Sequence, residues 1–439
     1  MTAAHINGSA GLNGKRGPGS HRYRDETEHN DAEYEARGAP PPPPHGERRD
    51  PLPVAAPWAG VDPAAIPRRR WLYGHYLCRG IVSVLVSPGG VGKSSLAMVE
   101  ALQLATGFKL HDHALPRGAV RAWYINLEDP QEELDRRLAG ACKHFDIGYS
   151  DLKGRLFINS GIDTPLKLAA LTAKGQGEVD ADAFEHLEQQ IRKNKIDVII
   201  VDPFVSSHSL PENDNTMIDR YIKRWAQAAF RCDIAVQLVH HTKKGPPGQE
   251  HDAESARGAK ALIDASRSVR VLNPMSKDEA AQLNVREDAR RLFFRAAVDK
   301  QNLAPPAAEK HWYRLASVNL GNGTPPLHMD ADLVGVPERW TPPEPEDLVK
   351  AGDLARVQDA IDAGEYGAAT QAADWVGHVI AQVLGMPMGD KVSRAQIKRL
   401  IAMWEGSGAL RREEVYSEKS RRNRPVMRVG RREDCTVAQ

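Results

Sequence analysis

The stretch VSPGGVGKSSLAM, residues 86–98, decides how this chain is read. The β-branched run GIVSVLV (80–86) leads into Ser87, Pro88, Gly89, Gly90, Val91 and Gly92, and KSSLAMVEALQLATG follows with helical spacing. Strand, glycine turn and helix therefore succeed one another. The glycines let successive backbone N–H groups face inward, making a concave anion site at the positive end of the helix. Phosphate is the natural guest. The spacing G-x-x-x-x-G-K-[ST] would place glycine where Ser87 stands, which a serine tolerates if its φ is negative. Lys93 would then reach the β and γ phosphates, the hydroxyl of Ser94 would coordinate Mg²⁺, and Ser95 would extend the helix. ATP and Mg²⁺ are the expected cofactors, with Ser87 to Ser95 as the nucleotide-contacting run.

Further apolar runs follow at AVRAWYINLE (119–128), IDVIIVDPF (196–204), CDIAVQLVHH (232–241) and SRSVRVL (266–272). Amphipathic stretches such as EELDRRLAGACKHF and TMIDRYIKRWAQAAF lie between some of them. This alternation predicts an α/β fold with a mostly parallel sheet and helices on both faces, which RLFFRAAVDK and HWYRLA would extend. Asp202 ends one strand, where a carboxylate can reach the Mg²⁺ shell. Glu128 ends another, placed to polarise a water for in-line attack; Asp129 is its rival, with a helix N-cap as its other role. His240 and His241 end a third, where an imidazole is either hydrogen-bonded in place or senses the γ phosphate.

Taken together, VSPGGVGKSSLA, YINLEDPQEELDRRL, DVIIVDPF, VQLVHHTKKG and SARGAKALIDASRSVRVL, in that order, resemble the RecA-like ATPases of the RepA-type plasmid replicative helicases. The resemblance spans roughly residues 67–316 and includes the SPGG opening, so Ser87 fits the family. It implies that Lys93 and Ser94 bind phosphate and metal, Glu128 activates water, Asp202 is the second carboxylate near Mg²⁺ and His240 senses the γ phosphate. It also implies that Arg267, ten residues after Arg257, is an arginine finger for a neighbouring subunit in a six-membered ring, with Lys300 as a further trans-acting lysine. Single-stranded DNA would pass through that ring.

Two regions carry candidate DNA contacts. TKKGPPGQEHDAESA (242–256) is too polar for sheet, and its Lys243 and Lys244 either hold a DNA backbone or are simply solvated. Beyond residue 350 the text reads as three helices and two strands around a basic turn, which predicts a winged helix-turn-helix. In it SRAQIKRLIAMW would be the recognition helix, with Ser393 as N-cap, Gln396 outward, and Ile397, Leu400, Ile401 and Trp404 inward. Arg394, Lys398, Arg399, Arg421 and Arg422 are its DNA candidates, duplex being the target, together with Arg411, Arg412, Lys419 and Arg424 in the wing. A protein-contact role is the alternative for such a module.

The expected organisation is a disordered Gly/Pro/charge-rich arm (1–64), an ATPase domain (65–318), a linker (319–349), the winged-helix domain (350–431) and a tail (432–439). A net charge of +1 gives no global footprint for nucleic acid, so basic surface must be local. Four scattered cysteines indicate neither a disulfide framework nor a zinc site, and no apolar run approaches the roughly 20 residues of a membrane span. A cytoplasmic, membrane-free protein is expected. Beside a DNA helicase or translocase of a plasmid, phage or mobile element stand two alternatives. One is a RecA-like ATPase assisting recombination without unwinding; the other is an ATP-switched DNA-binding regulator.

Overall fold

The computed structural model describes residues 55–242, 260–283, 285–305, 310–323, 330–343, 347, 349–388, 391–417 and 421–432. The described residues fall into two units, divided between Ile66 and Pro67. Of the expected arm, residues 1–54 lie outside the described residues; the remainder carries one 3₁₀ turn, Pro63–Ala65, capped by Asp62. All but the first residue of the expected tail also lies outside them.

In the larger unit, strands β1 (Trp71–Tyr73) and β2 (Leu77–Cys78) pair antiparallel ahead of β3 (Val82–Ser87). Helix α1 (Lys93–Thr106) leaves β3 through the glycine loop; β4 (Ala122–Asn126), α2 (Gln131–His144), α3 (Tyr149–Leu152) and β5 (Leu156–Ser160) follow. A hairpin of β6 (Ala169–Leu171) and β7 (Gly177–Val179) precedes α4 (Ala181–Lys193), β8 (Val198–Asp202), α5 (Asn215–Cys232) and β9 (Ala235–His241). After α6 (Lys260–Ala265) come β10 (Ser268–Pro274), α7 (Lys277–Gln282), β11 (Phe293–Gln301), β12 (Lys310–Asn319) and β13 (Leu333–Arg339). The chain ends in α8 (Asp353–Asp362), β14 (Tyr366–Gly367), α9 (Val376–Leu384), α10 (Lys391–Gly406), β15 (Leu410–Ser417) and β16 (Arg422–Val429).

Nine strands form one sheet in the order β13-β12-β11-β10-β3-β9-β8-β4-β5. From β10 to β5 every neighbour is parallel, and β11, β12 and β13 add an antiparallel edge. The fold is thus α/β with a large, mostly parallel sheet. Its central strands read as continuous apolar runs because both faces are covered. Val84 and Val86 pack on one side with Trp225 of α5, while Leu85 packs on the other with Leu96 and Leu104 of α1. Helix α5 starts where the Asp214 carboxylate accepts from the N–H groups of Thr216 and Met217, and it buries Ile218, Tyr221, Ile222 and Trp225 at helical spacing.

Part of the stretch expected as a linker belongs to this sheet. β13 lies inside residues 319–349 and pairs with β12 along its whole length. The surrounding glycines, prolines and acids obscured a short alternating strand whose Val334 and Val336 pack with Val99, Leu102 and Ala141. Pro337 is compatible with a strand here because β13 is at the sheet edge, where one N–H has no ladder partner to lose.

The last six elements have their own core, built on Val357, Ile361, Trp375, Ile380 and Met427. Their three strands are ordered β14-β16-β15. Ile397, Leu400, Ile401 and Trp404 of α10 do face this core. Two details differ from expectation. α10 begins at Lys391, which puts Ser393 inside the helix and not at its N-cap, and Gln396 is only 5% exposed, turned inward. The apolar stripe is wider than the i, i+3, i+4 count suggested, so a neighbouring polar position is drawn beneath the surface.

Candidate functional site

β3, β4, β8 and β9 are parallel neighbours in the sheet, so their carboxyl ends share one edge, the usual ligand-binding edge of such sheets. Gly90 and Gly92 have φ of 78° and 104°, left-handed values that favour glycine. A Cβ on Gly92 would also come within 3.3 Å of Leu315 and of Phe294. No side chain caps α1, so its first N–H groups remain directed at the loop. Ser87 keeps a negative φ, and its hydroxyl donates to the Pro88 carbonyl at 2.9 Å. Ser87, Pro88 and Val91 are buried beneath the loop and Gly89 is exposed, while Gly90, Gly92, Lys93, Ser94 and Ser95 line an open cleft of about 640 Å³.

Lys93 is buried at the base of this cleft. Its Nζ lies 3.4 Å from Oδ1 of Asp202 and 3.3 Å from Nε2 of His241. Glu128 stands across from it, half-exposed, its Oε1 3.9 Å from the same imidazole. The loop lysine, both expected carboxylates and one histidine are thereby brought together.

That histidine is His241; His240 points away from the cleft. His240 is buried with its ring edge-on to Phe204, and burial, with the charges of His241, His208 and Lys93, lowers its pKa to about 4. Consecutive strand residues face opposite sides, so only one of the pair can reach the cleft. Burial and the nearby lysine lower His241 as well, opposed by Glu128 and Asp202.

Sequence reading missed the residues that hold the carboxylates. The Tyr124 hydroxyl donates to Oδ2 of Asp202 at 2.8 Å, and burial together with that carboxylate raises its pKa well above the usual value, so it stays a donor. Asn126 accepts from the N–H groups of Glu128 and Asp129 through Oδ1, and its amide donates to Tyr124 and to Asp129. This Asx turn, which an asparagine at the end of YIN could have signalled, aims Glu128 into the cleft. Asp129 lines the same cleft, but its carboxylate is bound by Arg137 at 2.9 Å.

The far wall was also missed. Leu315 of β12 and residues 332–335 at the start of β13 line the cleft, and Arg136 of α2 ties that wall down through Asp332 at 3.3 Å. No single-sequence signal connects residue 332 with residue 93, because the contact depends on β13 joining the sheet.

The donors suit a hard cation. The Ser94 hydroxyl and the Asp202 carboxylate offer oxygen ligands beside the phosphate loop, a set fitting Mg²⁺ completed by phosphate oxygens and water. Among the described residues no cluster of three or more His, Cys, Asp or Glu side chains forms a metal cage.

The other expected residues lie elsewhere. Arg267 is exposed just before β10, at the end of the sheet opposite the phosphate loop, since Ser268 is level with Ser83. Lys300 donates to the carbonyls of Ile263 and Asp264 at the end of α6; burial lowers its pKa. Lys243, Lys244, Arg257 and Lys419 fall outside the described residues. Of the wing arginines, Arg424 is engaged by Asp374 and Glu365, Arg412 by Glu405 and Arg411 by Glu413; Arg421 and Arg422 are exposed. Arg394, Lys398 and Arg399 line a separate cleft beside α7.

Residues 48–247 match the family model described as an AAA domain. The matched segment contains the phosphate loop, Glu128, Asp202 and His241, and stops before β10. A solved structure, described as the crystal structure of the RadB recombinase, is similar at 12% identity with a TM-score of 0.35, over 55% of this chain and 89% of that one. No helix among the described residues is long and apolar enough to cross a membrane.

Proposed function

We propose that the chain is a RecA-like ATPase that hydrolyses ATP to ADP and phosphate and works as a DNA helicase or translocase for a plasmid, phage or mobile element. The observation that carries the reading is the convergence of Lys93, Ser94, Glu128, Asp202 and His241 on one cleft behind a phosphate loop. In this reading Lys93 leaves Asp202 for the β and γ phosphates as nucleotide enters, and Ser94 with Asp202 holds Mg²⁺. Mg²⁺ supplies neutralisation of the phosphate charge. Glu128 takes the proton of the attacking water, and His241 follows the γ phosphate.

Arg267 supports a ring. Its side chain is exposed but remote from the cleft of its own chain, the geometry a finger acting on a neighbour requires. The order helix, strand, helix, helix, strand, strand from α8 to β16 supports a winged-helix module joined to the motor.

Steady-state ATP hydrolysis with and without single-stranded DNA, alongside strand separation of a tailed duplex, tests this. The expected result is DNA-stimulated hydrolysis that Lys93→Ala abolishes, with unwinding of the tail. Stimulation without unwinding would favour a recombination-type ATPase. Hydrolysis indifferent to DNA would leave an ATP-switched DNA binder and sink the motor.

A further inference from the structure

Two clefts adjoin where α10 meets the core. The first, about 510 Å³, is lined by Gln282, Arg394, Ala395, Lys398 and Arg399. Among the described residues its wall has three cations and no carboxylate. The second, about 530 Å³, is lined by Leu283, Phe293, Trp340 and Pro343 and also by the charged Arg286 and Asp347. Arg399 separates them, donating to the Gln282 carbonyl at 2.9 Å and to the Pro343 carbonyl at 3.4 Å. The first of these bonds caps the last turn of α7.

Two arginines of the wing, Arg421 and Arg422, are exposed, whereas Arg411, Arg412, Arg424 and Arg428 meet carboxylates. Arg394 is held by the neutral Thr370 carbonyl at 2.8 Å, with its guanidinium 5.2 Å from the Trp375 ring centre, and Lys398 is exposed. Among the described residues no acid pairs with Arg394, Lys398 or Arg399. Their charge therefore remains available to an anion. Next door, Trp340 is braced edge-on by Phe293 at 4.8 Å and Trp312 at 6.0 Å, so its ring is fixed before any ligand arrives.

We propose that this junction binds single-stranded DNA, with a base stacking in the Trp340 cleft and the adjoining phosphates held by Arg394, Lys398 and Arg399. The inference rests on the DNA-directed reading above. A fixed aromatic surface beside cations lacking acidic partners is the combination that binds single strands independently of sequence. Duplex fits less well: its bases are already stacked, and the Arg399 contact with α7 holds the basic edge of α10 against the core instead of presenting it to a major groove.

The test uses the full chain, fluorescence anisotropy of labelled oligothymidine across a salt series, and a hairpin duplex of equal length as competitor. The double variant Arg394→Glu, Lys398→Glu should weaken binding at least tenfold and flatten the log–log salt slope by about 0.7 per cation. Trp340→Leu should weaken single-strand binding by roughly tenfold and leave duplex binding unchanged. If that variant melts early, oligothymidine quenching of tryptophan fluorescence is compared between the wild type and Trp340→Phe, and the quench should be lost. Unchanged affinity and slope in the charge variants, or equal losses for both DNA forms in the tryptophan variant, overturns the proposal. A wild-type chain that binds no DNA overturns the motor reading as well; wild-type binding that these variants retain overturns the cleft alone.

Discussion

Nζ of Lys93 lies 3.3 Å from Nε2 of His241. A protonated lysine can only donate, so Nε2 must accept and the ring must be neutral, with its proton on Nδ1. The downward displacement of the His241 pKa by burial and by Lys93 agrees with this tautomer. Nucleotide entry that draws Lys93 away would free Nε2 to be protonated and to meet a phosphate oxygen.

Replacing each histidine by alanine separates their roles. His241→Ala should lower kcat for ATP hydrolysis at least tenfold with little change in melting temperature. His240→Ala should instead destabilise the fold by about 2 kcal/mol, through a cavity beside Phe204. Equal kinetic losses in the two variants would contradict the placement of His241 in the cleft.

Tyr124→Phe removes the hydroxyl that donates to Asp202 while keeping the ring. A buried carboxylate deprived of a donor costs about 1–3 kcal/mol. The variant should melt earlier in denaturant, and its hydrolysis should require more Mg²⁺ for half-maximal rate. An unchanged Mg²⁺ requirement would show that Tyr124 does not orient Asp202.

Gly92→Ala meets two obstacles at once: a left-handed φ and a Cβ 3.3 Å from both Leu315 and Phe294. Nucleotide binding, followed with a fluorescent ATP analogue, should fall at least tenfold. Alanine at Gly89, which has a negative φ and open space, should be tolerated.

Acid should destabilise the protein well before its carboxylates titrate. Burial lowers His208 and His240 to about 4 and His113 to about 2, against roughly 6.5 unfolded. Between those limits the unfolded chain binds more protons, so stability is full above pH 6.5 and declines as the pH falls toward 4. Each such proton contributes about 1.4 kcal/mol per pH unit. Urea denaturation at several pH values should show this slope, and His208→Phe should reduce it by about one proton. A flat profile between pH 6.5 and 5 would refute it.

Arg267→Ala should cut turnover by about 10³ if the side chain completes a neighbour's site. Mixing it with Lys93→Ala should restore part of the activity, because some interfaces then combine an intact loop with an intact arginine. No recovery on mixing would argue against a shared site.

The sequence by itself determined the phosphate loop, the mostly parallel core and Asp202 at the end of its strand, while Glu128, expected at a strand end, lies two residues beyond one in the turn that Asn126 makes. Those features are local: glycines that permit left-handed φ, β-branched runs and helical periodicity act within a dozen residues. Which of His240 and His241 faces the cleft was decided only by the strand's orientation in the sheet, because neighbouring strand residues point to opposite faces. Tertiary structure also turned an apparent linker into β13 and a wall of the site. Its valines become a strand only through burial against α1 and α2, and Gly/Pro-rich text around them carries no trace of that packing. Likewise the basic C-terminal segment looked uniformly available from its composition. Folding paired Arg424 and Arg428 with acids distant in sequence, left Arg421 and Arg422 exposed, and set Arg394, Lys398 and Arg399 along a cleft, because a side chain's charge is free or neutralised according to its neighbours in space.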